Sequence, residues 1–392
     1  MRLQPFSFLD DIGRVCSSQE GALAGNKFLS SLMEEKLLNF NTNKSVCIVI
    51  GEDESSLKIR RNLTDNPLPL GRNLMKTVSQ YTYLGVVLHE GGAGASALAT
   101  INKRSSRVKQ LIFEIKAILE DSRLDSIGGI SSGLDLWHLI VVPYLYGSLE
   151  CFPDIPIEGM KKLNDLHILF YRCLLNCPRT SPIGGMFWFL GQTLPNNIII
   201  QRTLLLYHHI ANLPRGSLAL EVINEQRRLG LEGLTSQGRV FLAELGVRET
   251  LLTCTSKAQF RQIIRTKIRD KNAREILQMC KGYRKLNYFD LKEETFGLDE
   301  NCKNMTLNES RVLYAMKNGM TRGAMLNYAS DPEFKKRSWL CVCGEMSSNL
   351  HFRYCKNYEY LRIGKDFSSD IHLVKYLQAI NKVRDEEEKN II

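Results

Sequence analysis

The stretch Phe6-Ser7-Phe8-Leu9-Asp10-Asp11-Ile12-Gly13 places two neighbouring carboxylates, Asp10 and Asp11, inside an otherwise apolar run near the start of the chain. A buried strand does not tolerate two adjacent carboxylates without partners, because burying an unpaired charge is costly. A tight turn between two strands does tolerate them, and it brings both acids to one spot. Carboxylate oxygens are ligands that Mg²⁺ prefers. The stretch therefore predicts a β-hairpin that carries either a divalent-cation site or an ordinary solvated Asp-Asp pair.

The residues after this hairpin predict a mixed α/β region. Ser17 and Glu20 form a capping-box pattern, with Ser17 as the N-cap of a helix that has apolar residues at helical spacing. Val46–Ile50 predicts an apolar strand, and Tyr81–Leu88 predicts another strand that is broken by a glycine. The polar stretch Glu52–Pro69 between them predicts a hairpin or loop over the surface.

This order of elements resembles the second half of the palm of a reverse transcriptase from the non-LTR (LINE-type) retrotransposon branch. Phe8–Asp11 resembles the aromatic-x-Asp-Asp catalytic turn of the family. Leu38–Ser45 resembles the lysine-bearing segment that follows the turn, and Tyr83–Gly85 resembles the start of the primer grip. The three motifs occur in the order and at the spacing of the family.

The resemblance implies a catalytic site at Asp10, Asp11 and Lys44. The two aspartates would bind Mg²⁺ for two-metal nucleotidyl transfer. The family has a further metal-binding aspartate on an earlier strand; by resemblance that strand and the fingers would both lie before Met1, so we expect neither in this chain. We therefore expect no polymerase activity from this chain alone, and we expect the missing N-terminal part of the polymerase to be a partner.

The composition indicates the cellular compartment of the protein and the kind of partner it binds. The 392 residues include 52 Lys and Arg against 42 Asp and Glu, a formal net charge of +10, which fits a polyanionic partner. The 11 cysteines have no spacing typical of a secreted disulfide framework, which indicates a reducing compartment. The longest apolar run, Leu139–Tyr146, is too short to cross a bilayer. We therefore expect an intracellular protein, nuclear or cytoplasmic, with RNA and DNA as partners by resemblance and no membrane partner.

A helical region is predicted from Ser96 onward, after the glycine-rich linker Gly91–Ala95. Apolar residues recur at helical spacing between Val108 and Ile118, and positive residues cluster ahead of them. By resemblance this region is the thumb, whose positive cluster would contact the template-primer duplex. An ordinary solvated basic face fits the pattern equally well. The positive residues in question are Lys103, Arg104 and Arg107. Farther along, Trp137–Ser148 predicts a buried core segment.

The most basic stretch of the chain is Ser256–Leu286. Four cations follow one another at four-residue spacing beside an apolar stripe that includes Phe260 and Ile264, which predicts a helix with one buried face. The four cations are Lys257, Arg261, Arg265 and Arg269. Such a stripe either tracks a phosphate backbone or is an ordinary solvated helix face.

A set of metal-ligand types lies near the end of the chain. Cys341, Cys343, His351 and Cys355 form a Cys₃His set within fifteen residues, which suits tetrahedral structural Zn²⁺. Three unlinked cysteines near a histidine are the alternative interpretation. The set resembles the Cys-Cys-His-Cys knuckle found toward the C-terminus of many LINE-type proteins.

The sequence thus predicts an α+β protein that resembles the C-terminal part of a retrotransposon polymerase. The predicted domains are the end of a reverse-transcriptase palm (1–95), a helical thumb and linker (96–250), a basic helical linker (251–335), a zinc knuckle (336–364) and a charged tail (365–392). The implied function is that of the parent enzyme, an RNA-directed DNA polymerase. The alternative is a non-catalytic nucleic-acid-binding remnant or domesticated protein. A helical interaction protein with structural zinc is a third hypothesis.

Overall fold

The computed structural model describes residues 6–8, 11–41, 44–121, 128–152, 154–281, 296–298, 300–318, 355–362 and 370–389 of the chain. Within these residues the protein is mostly helical with a few small sheets, so the broad α+β class predicted from the sequence is confirmed. The chain divides into two compact units, one formed by Met1–Lys103 with Asp154–Gly159 and the other by Arg104–Pro153 with Met160–Ile392. The palm and the knuckle remain predictions.

The described part of the first unit combines four two-stranded sheets with helices. Three of the sheets are antiparallel, whereas β3 and β6 pair in parallel. The elements in chain order are β1 (Phe6–Phe8), β2 (Asp11–Gly13), α1 (Gln19–Glu35), β3 (Val46–Cys47), α2 (Glu54–Asp65), β4 (Pro69–Leu70), β5 (Asn73–Leu74), β6 (Lys76–Thr77), β7 (Gln80–Tyr83), β8 (Val86–His89) and the start of α3 (Gly92–Glu120).

The predicted hairpin at the start of the chain is present. Strands β1 and β2 pair antiparallel, with Phe8 opposite Asp11. Asp11 therefore begins the second strand, and only two residues connect the strands. These two residues, Leu9 and Asp10, lie outside the described part of the chain.

Helix α1 begins one residue later than its capping pattern predicts. Ser18, in an extended conformation, is the N-cap, and its hydroxyl accepts a hydrogen bond from the Gly21 amide at 3.1 Å. The prediction of Ser17 as the cap was therefore wrong by one position, because a neighbouring serine supplies the same acceptor. The buried side of α1 includes Asn26, whose amide donates to the Pro69 carbonyl at 3.0 Å.

The prediction of one strand over Tyr81–Leu88 was wrong, because the chain reverses within it. Strands β7 and β8 pair antiparallel with Tyr83 opposite Val86. The connecting residues Leu84 and Gly85 both have positive φ, +47° and +80°. Two successive positive φ values are typical of a type I′ turn, whose twist matches that of paired strands, and glycine adopts this conformation readily.

The prediction of a surface loop over Glu52–Pro69 was also wrong, because this stretch contains helix α2. Its inward side includes Ile59 and Leu63, which are spaced by one helical turn among polar residues. Arg60 belongs to the same side and donates to the carbonyls of Val49 and Gly51 at 3.2 and 2.9 Å. The apolar pattern is too sparse to reveal the helix without these contacts.

The glycine-rich stretch Gly91–Ala95 forms the first turns of α3, so the prediction of a linker was wrong. Ser96 and Thr100, one turn apart, accept hydrogen bonds from the amides of His89 and Val87, each at 2.9 Å. These amides belong to β8 and point away from β7, so the helix hydroxyls satisfy an otherwise unpaired strand edge. Small residues at the start of the helix permit this close approach.

The described part of the second unit is helical. It contains the rest of α3 and α6, and the remaining elements in chain order are α4 (Gly129–Leu136), a π-helix (Trp137–Val141), α5 (Val142–Tyr146), a 3₁₀ turn (Leu149–Cys151), α6 (Ile157–Leu175), α7 (Ile183–Leu190), α8 (Pro195–Ala211), α9 (Leu218–Leu229), α10 (Leu234–Glu244), α11 (Leu251–Cys254), α12 (Lys257–Lys281), a 3₁₀ turn (Glu300–Lys303), α13 (Leu307–Lys317), a 3₁₀ turn (Lys356–Tyr358), α14 (Glu359–Arg362) and α15 (Asp370–Lys389).

The predicted core segment Trp137–Ser148 is buried along one side only. Trp137 is fully buried and stacks on Phe170 with ring centroids 4.3 Å apart. Leu139 on the other side is 75% exposed. The π-helical turn lies next to Pro143, whose missing amide hydrogen cannot continue the regular helical pattern.

Candidate nucleic-acid interface

Helix α12 begins at a reciprocal cap. The Ser256 amide donates to Gln259 Oε1 at 3.0 Å, and the Gln259 amide donates to Ser256 Oγ at 3.3 Å. This pair satisfies two amides that the first turn of a helix leaves without partners. The helix then runs without interruption to Lys281, as the sequence predicts for most of Ser256–Leu286.

The buried face of α12 fixes which residues point to solvent. Phe260, Ile264 and Ile268, spaced by four residues, are all 3% exposed or less. They join a hydrophobic cluster that includes residues of α8, α9 and α10. Phe260 also stacks on His208 with ring centroids 4.3 Å apart. His208 is therefore buried, whereas its neighbour His209 is exposed.

A buried asparagine orients the middle of α12. Asn272 is fully buried, and its Oδ1 accepts from the Leu194 amide at 2.8 Å and from Asn197 Nδ2 at 3.1 Å. Its Nδ2 donates to the Gln192 carbonyl at 3.0 Å. Sequence reasoning missed this residue, although a signal exists: Asn272 continues the four-residue apolar repeat of Phe260, Ile264 and Ile268. A polar residue at such a position must find partners inside the protein.

The flank of α12 next to its buried face carries the predicted cations, about 100° around the helix axis from Phe260, Ile264 and Ile268. Lys257, Arg261, Arg265 and Arg269 are all exposed. Four-residue steps advance about 6 Å along a helix and about 40° around it, so the four residues form a gently winding stripe. We call these four residues the basic stripe. Arg269 Nη2 donates weakly to the Phe296 carbonyl at 3.4 Å. Within the described ranges, no carboxylate forms an ion pair with any member of the stripe.

Two nearby carboxylates, Glu244 and Glu275, are engaged away from the stripe, whereas Asp270, next to Arg269, is exposed. Lys271, which is off the stripe, lies 3.1 Å from Glu275 and 3.5 Å from Glu244. Glu275 also accepts from Asn197 at 2.7 Å. These contacts keep the two negative charges in the network that surrounds Asn272. Among the described residues, the four stripe cations therefore have no ion-pair partner, although the exposed Asp270 beside Arg269 offsets part of their charge.

Arg104 lies in the interior, which corrects its assignment to a solvent-facing cluster. Its side chain is buried, and Nη1 donates to the carbonyls of Leu145 and Gly147 at 3.2 and 2.6 Å. These carbonyls are at the C-terminal end of α5, where helical carbonyls lack amide partners. Burial lowers the pKa of Arg104 from its usual value. The residue stabilises a helix end and is not available to a phosphate.

The other two predicted cations of α3 are exposed but already engaged. Lys103 Nζ donates to Thr82 Oγ1 at 2.7 Å. Arg107 Nη1 lies 2.9 Å from Glu114 Oε1 in an ion pair. Of these two cations, Arg107 is thus partly neutralised by a carboxylate, whereas Lys103 is held by a neutral hydroxyl and keeps its charge. The structure does not bring Lys103, Arg104 and Arg107 together as one surface.

The predicted catalytic residues are described only in part. The backbone of Asp11 lies in β2, and Asp10 is outside the described residues. Lys44 is exposed, and its amide donates to the Asn41 carbonyl at 3.0 Å in a turn ahead of β3. The catalytic roles of all three therefore remain predictions.

The predicted zinc ligands Cys341, Cys343 and His351 lie outside the described residues. Cys355 is described and buried at the start of a 3₁₀ turn. In the part of the chain that the structure describes, no cluster of three or more His, Cys, Asp or Glu residues is arranged to hold a metal ion. The Mg²⁺ and Zn²⁺ sites therefore stay predictions.

Comparisons with known proteins give no family for this chain. No protein-family model, curated protein or solved structure matches it. The reverse-transcriptase resemblance consequently depends on the sequence motifs. Within the described residues, every helix is too short or too polar to cross a bilayer.

Proposed function

We propose that this protein binds nucleic acid through the basic stripe of α12. The observation that carries the proposal is the exposure of Lys257, Arg261, Arg265 and Arg269 on one helix face, without a carboxylate partner in the described part of the chain. Cations at this spacing attract a polyanion and release its condensed counterions on binding. The buried face of α12 holds the stripe in one orientation.

The chemistry of the stripe favours contact with phosphates over contact with bases. Phe260 is the sole aromatic residue of α12, and it is fully buried. The exposed side of the helix therefore lacks a ring on which an unpaired base could stack. Phosphate contacts position a nucleic acid but do not read its sequence. We expect binding that depends strongly on salt and little on sequence.

We further propose that the chain is the C-terminal part of a non-LTR reverse transcriptase. The support is the order of the sequence motifs together with the β1–β2 hairpin, in which Phe8 pairs opposite Asp11. In the parent enzyme Asp10 and Asp11 would bind Mg²⁺, and Lys44 would belong to the same site. The Zn²⁺ knuckle of Cys341, Cys343, His351 and Cys355 would add a second nucleic-acid contact.

A non-catalytic nucleic-acid-binding remnant is the second candidate. The observation that favours it is the isolation of the β1–β2 pair, which hydrogen-bonds to no further strand among the described residues. Two-metal catalysis requires carboxylates that hold both ions. A third carboxylate on an adjoining strand is therefore needed before this hairpin can support polymerisation.

Two assays test these proposals with the purified chain. Fluorescence anisotropy with RNA–DNA hybrid, duplex DNA and single-stranded RNA should give tight binding at low salt, partly lost on zinc chelation. Absence of binding at low salt would overturn the proposed function. Primer extension should give no product. Product that Asp10→Asn abolishes would exclude the remnant hypothesis and establish the catalytic one.

A further inference from the structure

A cleft in the second unit lies outside the basic stripe and suits a small ligand. It has a volume of about 430 Å³ and lies between the end of α8, one side of α9, and α11 with the two residues before it. This volume is within the range of about 300–1,000 Å³ typical of small-molecule sites. Four aliphatic residues form its apolar part: Ala211, Leu220, Ile223 and Leu252. The rest of the lining is polar or charged.

On the charged side of the cleft, the side chains form a hydrogen-bonded cluster. Arg227 Nη2 donates to the Tyr207 hydroxyl and to Glu249 Oε1, the latter at 3.0 Å. Arg239 Nε donates to the same oxygen of Glu249 at 3.1 Å. Two guanidinium groups thus share one carboxylate, which leaves a net positive charge beside the cleft. Tyr207 is fully buried beneath Arg227, whose Cζ is 5.5 Å from the ring centroid.

Several polar groups at the cleft have unused hydrogen-bonding capacity among the described residues. The Nε–H of Arg227 is buried and has no acceptor there. The three hydrogen bonds of the Glu249 side chain all use Oε1, from Tyr207, Arg227 and Arg239. Asn224, an exposed residue of the lining, offers an amide with both a donor and an acceptor. Buried polar groups without partners are uncommon, and a ligand can supply the missing partners.

We propose that this cleft binds a single nucleotide. The base would lie against the aliphatic residues, and the phosphate would lie beside the net positive cluster of Arg227 and Arg239. An amide such as that of Asn224 matches the donor and acceptor pattern of a base edge. The free Oε2 of Glu249 is an acceptor suited to a ribose hydroxyl. An acidic peptide with one apolar side chain is the competing ligand class, and the amide of Asn224 beside the aliphatic residues favours the nucleotide.

The test uses AMP as the probe with the full chain, in isothermal titration calorimetry. Adenosine and inorganic phosphate, titrated separately, distinguish recognition of the base from recognition of the phosphate. We expect AMP to bind about 10-fold more tightly than either fragment, because charge-assisted hydrogen bonds and apolar contact contribute together. Absence of AMP binding at about 1 mM, or equal binding of inorganic phosphate, would overturn the proposal.

Matched variants locate the site. Arg227→Gln should weaken AMP binding about 10-fold, whereas Arg228→Gln should leave it unchanged, since Arg228 pairs with Glu225 at 2.7 Å and does not line the cleft. Because Arg227 also holds Tyr207, Asn224→Leu serves as a second variant that leaves the charged cluster intact. Thermal melting verifies that each variant folds.

Two outcomes separate this site from the basic stripe. Substitution of the stripe cations should leave AMP binding unchanged, so that the failure of either proposal is visible independently of the other. An acidic, leucine-containing peptide should not displace AMP. Equal AMP affinity in wild type, Arg227→Gln and Asn224→Leu, or displacement by the peptide, would contradict the assignment.

Discussion

The middle of α3 and the outer face of α12 are both rich in positive residues, but these side chains have different surroundings in the two helices. In α3, Arg104 is buried against helix carbonyls and Arg107 pairs with Glu114. In α12, the basic stripe is exposed and has no carboxylate partner in the described ranges. Similar clusters of positive residues therefore have different roles. In α3 they stabilise the fold, whereas in α12 they form a candidate surface for a polyanion.

The spacing of the cations explains the difference. Neighbouring residues on a helix point about 100° apart, so Lys103 and Arg104 cannot share one face. Arg104 is the one that turns toward the protein, where carbonyls at the end of α5 accept its hydrogen bonds. Residues four apart stay on the same side of a helix. The regular repeat of α12, beside an apolar repeat, therefore predicts exposure where a simple count of charges does not.

The largest effect is expected from removal of the stripe. The triple change Lys257→Gln, Arg261→Gln and Arg265→Gln should weaken binding of duplex nucleic acid about 100-fold or more at low salt, because each cation neutralises a phosphate. Fluorescence anisotropy measures this change. The matched control is the double change Lys103→Gln and Arg107→Gln, for which we expect less than about 3-fold weakening. Equal losses in the two variants would remove the distinction between the helices.

Arg104→Met should act on folding and not on binding. The substitution leaves the carbonyls of Leu145 and Gly147 without their donor, and it should lower the free energy of unfolding by about 2–3 kcal/mol. Urea denaturation measures the loss. Nucleic-acid affinity of the folded variant should equal that of wild type. If Arg104→Met is as stable as wild type but binds nucleic acid more weakly, Arg104 belongs instead to the nucleic-acid-binding surface that the sequence predicted.

Regular patterns made much of the fold predictable, whereas long-range partners decided the rest. The hairpin around Asp10 and Asp11 and the stripe on α12 follow from residue order alone. The turn at Leu84 and Gly85 was missed because an apolar stretch around one glycine resembles a bulged strand. The start of α3 was missed because its glycines and serines acquire a helical role only through contact with β8. Sequence patterns do not display such partners.

The candidate nucleic-acid surface was likewise predictable only in part. The exposed face of α12 was predictable from its four-residue repeat. The burial of Arg104 was not, because its partners Leu145 and Gly147 lie about forty residues away along the chain. The cluster of Tyr207, Arg227 and Glu249 was likewise invisible, since three separate elements contribute to it. The sequence shows which residues are charged, but it does not show which of them form an ion pair or a buried hydrogen bond in the folded protein.

Asn272→Leu should loosen the support of the stripe. The change removes the acceptor for the Leu194 amide and the donor to the Gln192 carbonyl. Leaving these groups without partners should cost about 2 kcal/mol of unfolding free energy. Arg274→Gln, an exposed change on the same helix, should cost less than about 0.5 kcal/mol. Chemical denaturation compares the two variants, and equal stability would mean that Asn272 does not anchor α12.

Acid should weaken the core around the buried His167. His167 is buried between Tyr146 and Tyr171, with Nε2 and Nδ1 at 2.8 and 3.0 Å from the two hydroxyls. Burial lowers the pKa of His167 to about 3. Below the unfolded pKa of about 6.5 the unfolded chain binds a proton that the folded protein does not, so this residue makes stability fall as the pH falls from about 6.5 toward 3.

The expected contribution of His167 is up to about 1.4 kcal/mol per pH unit within that window. His167→Gln should remove this part of the slope, which denaturation at pH 6 and pH 5 measures. An unchanged slope in His167→Gln would show that the buried histidine does not govern the acid response.

The salt dependence of binding is the most direct test of whether the basic stripe contacts the phosphates of a nucleic acid. We would measure the association constant for duplex nucleic acid between low and moderate salt, for wild type and for the triple stripe variant. Three phosphate contacts contribute about 2.7 to the slope of log K against log salt. We expect the slope of log K against log salt to be shallower by roughly 2.7 in the triple variant than in wild type. Parallel lines for the two proteins would contradict it, because the stripe cations would then not contact phosphates.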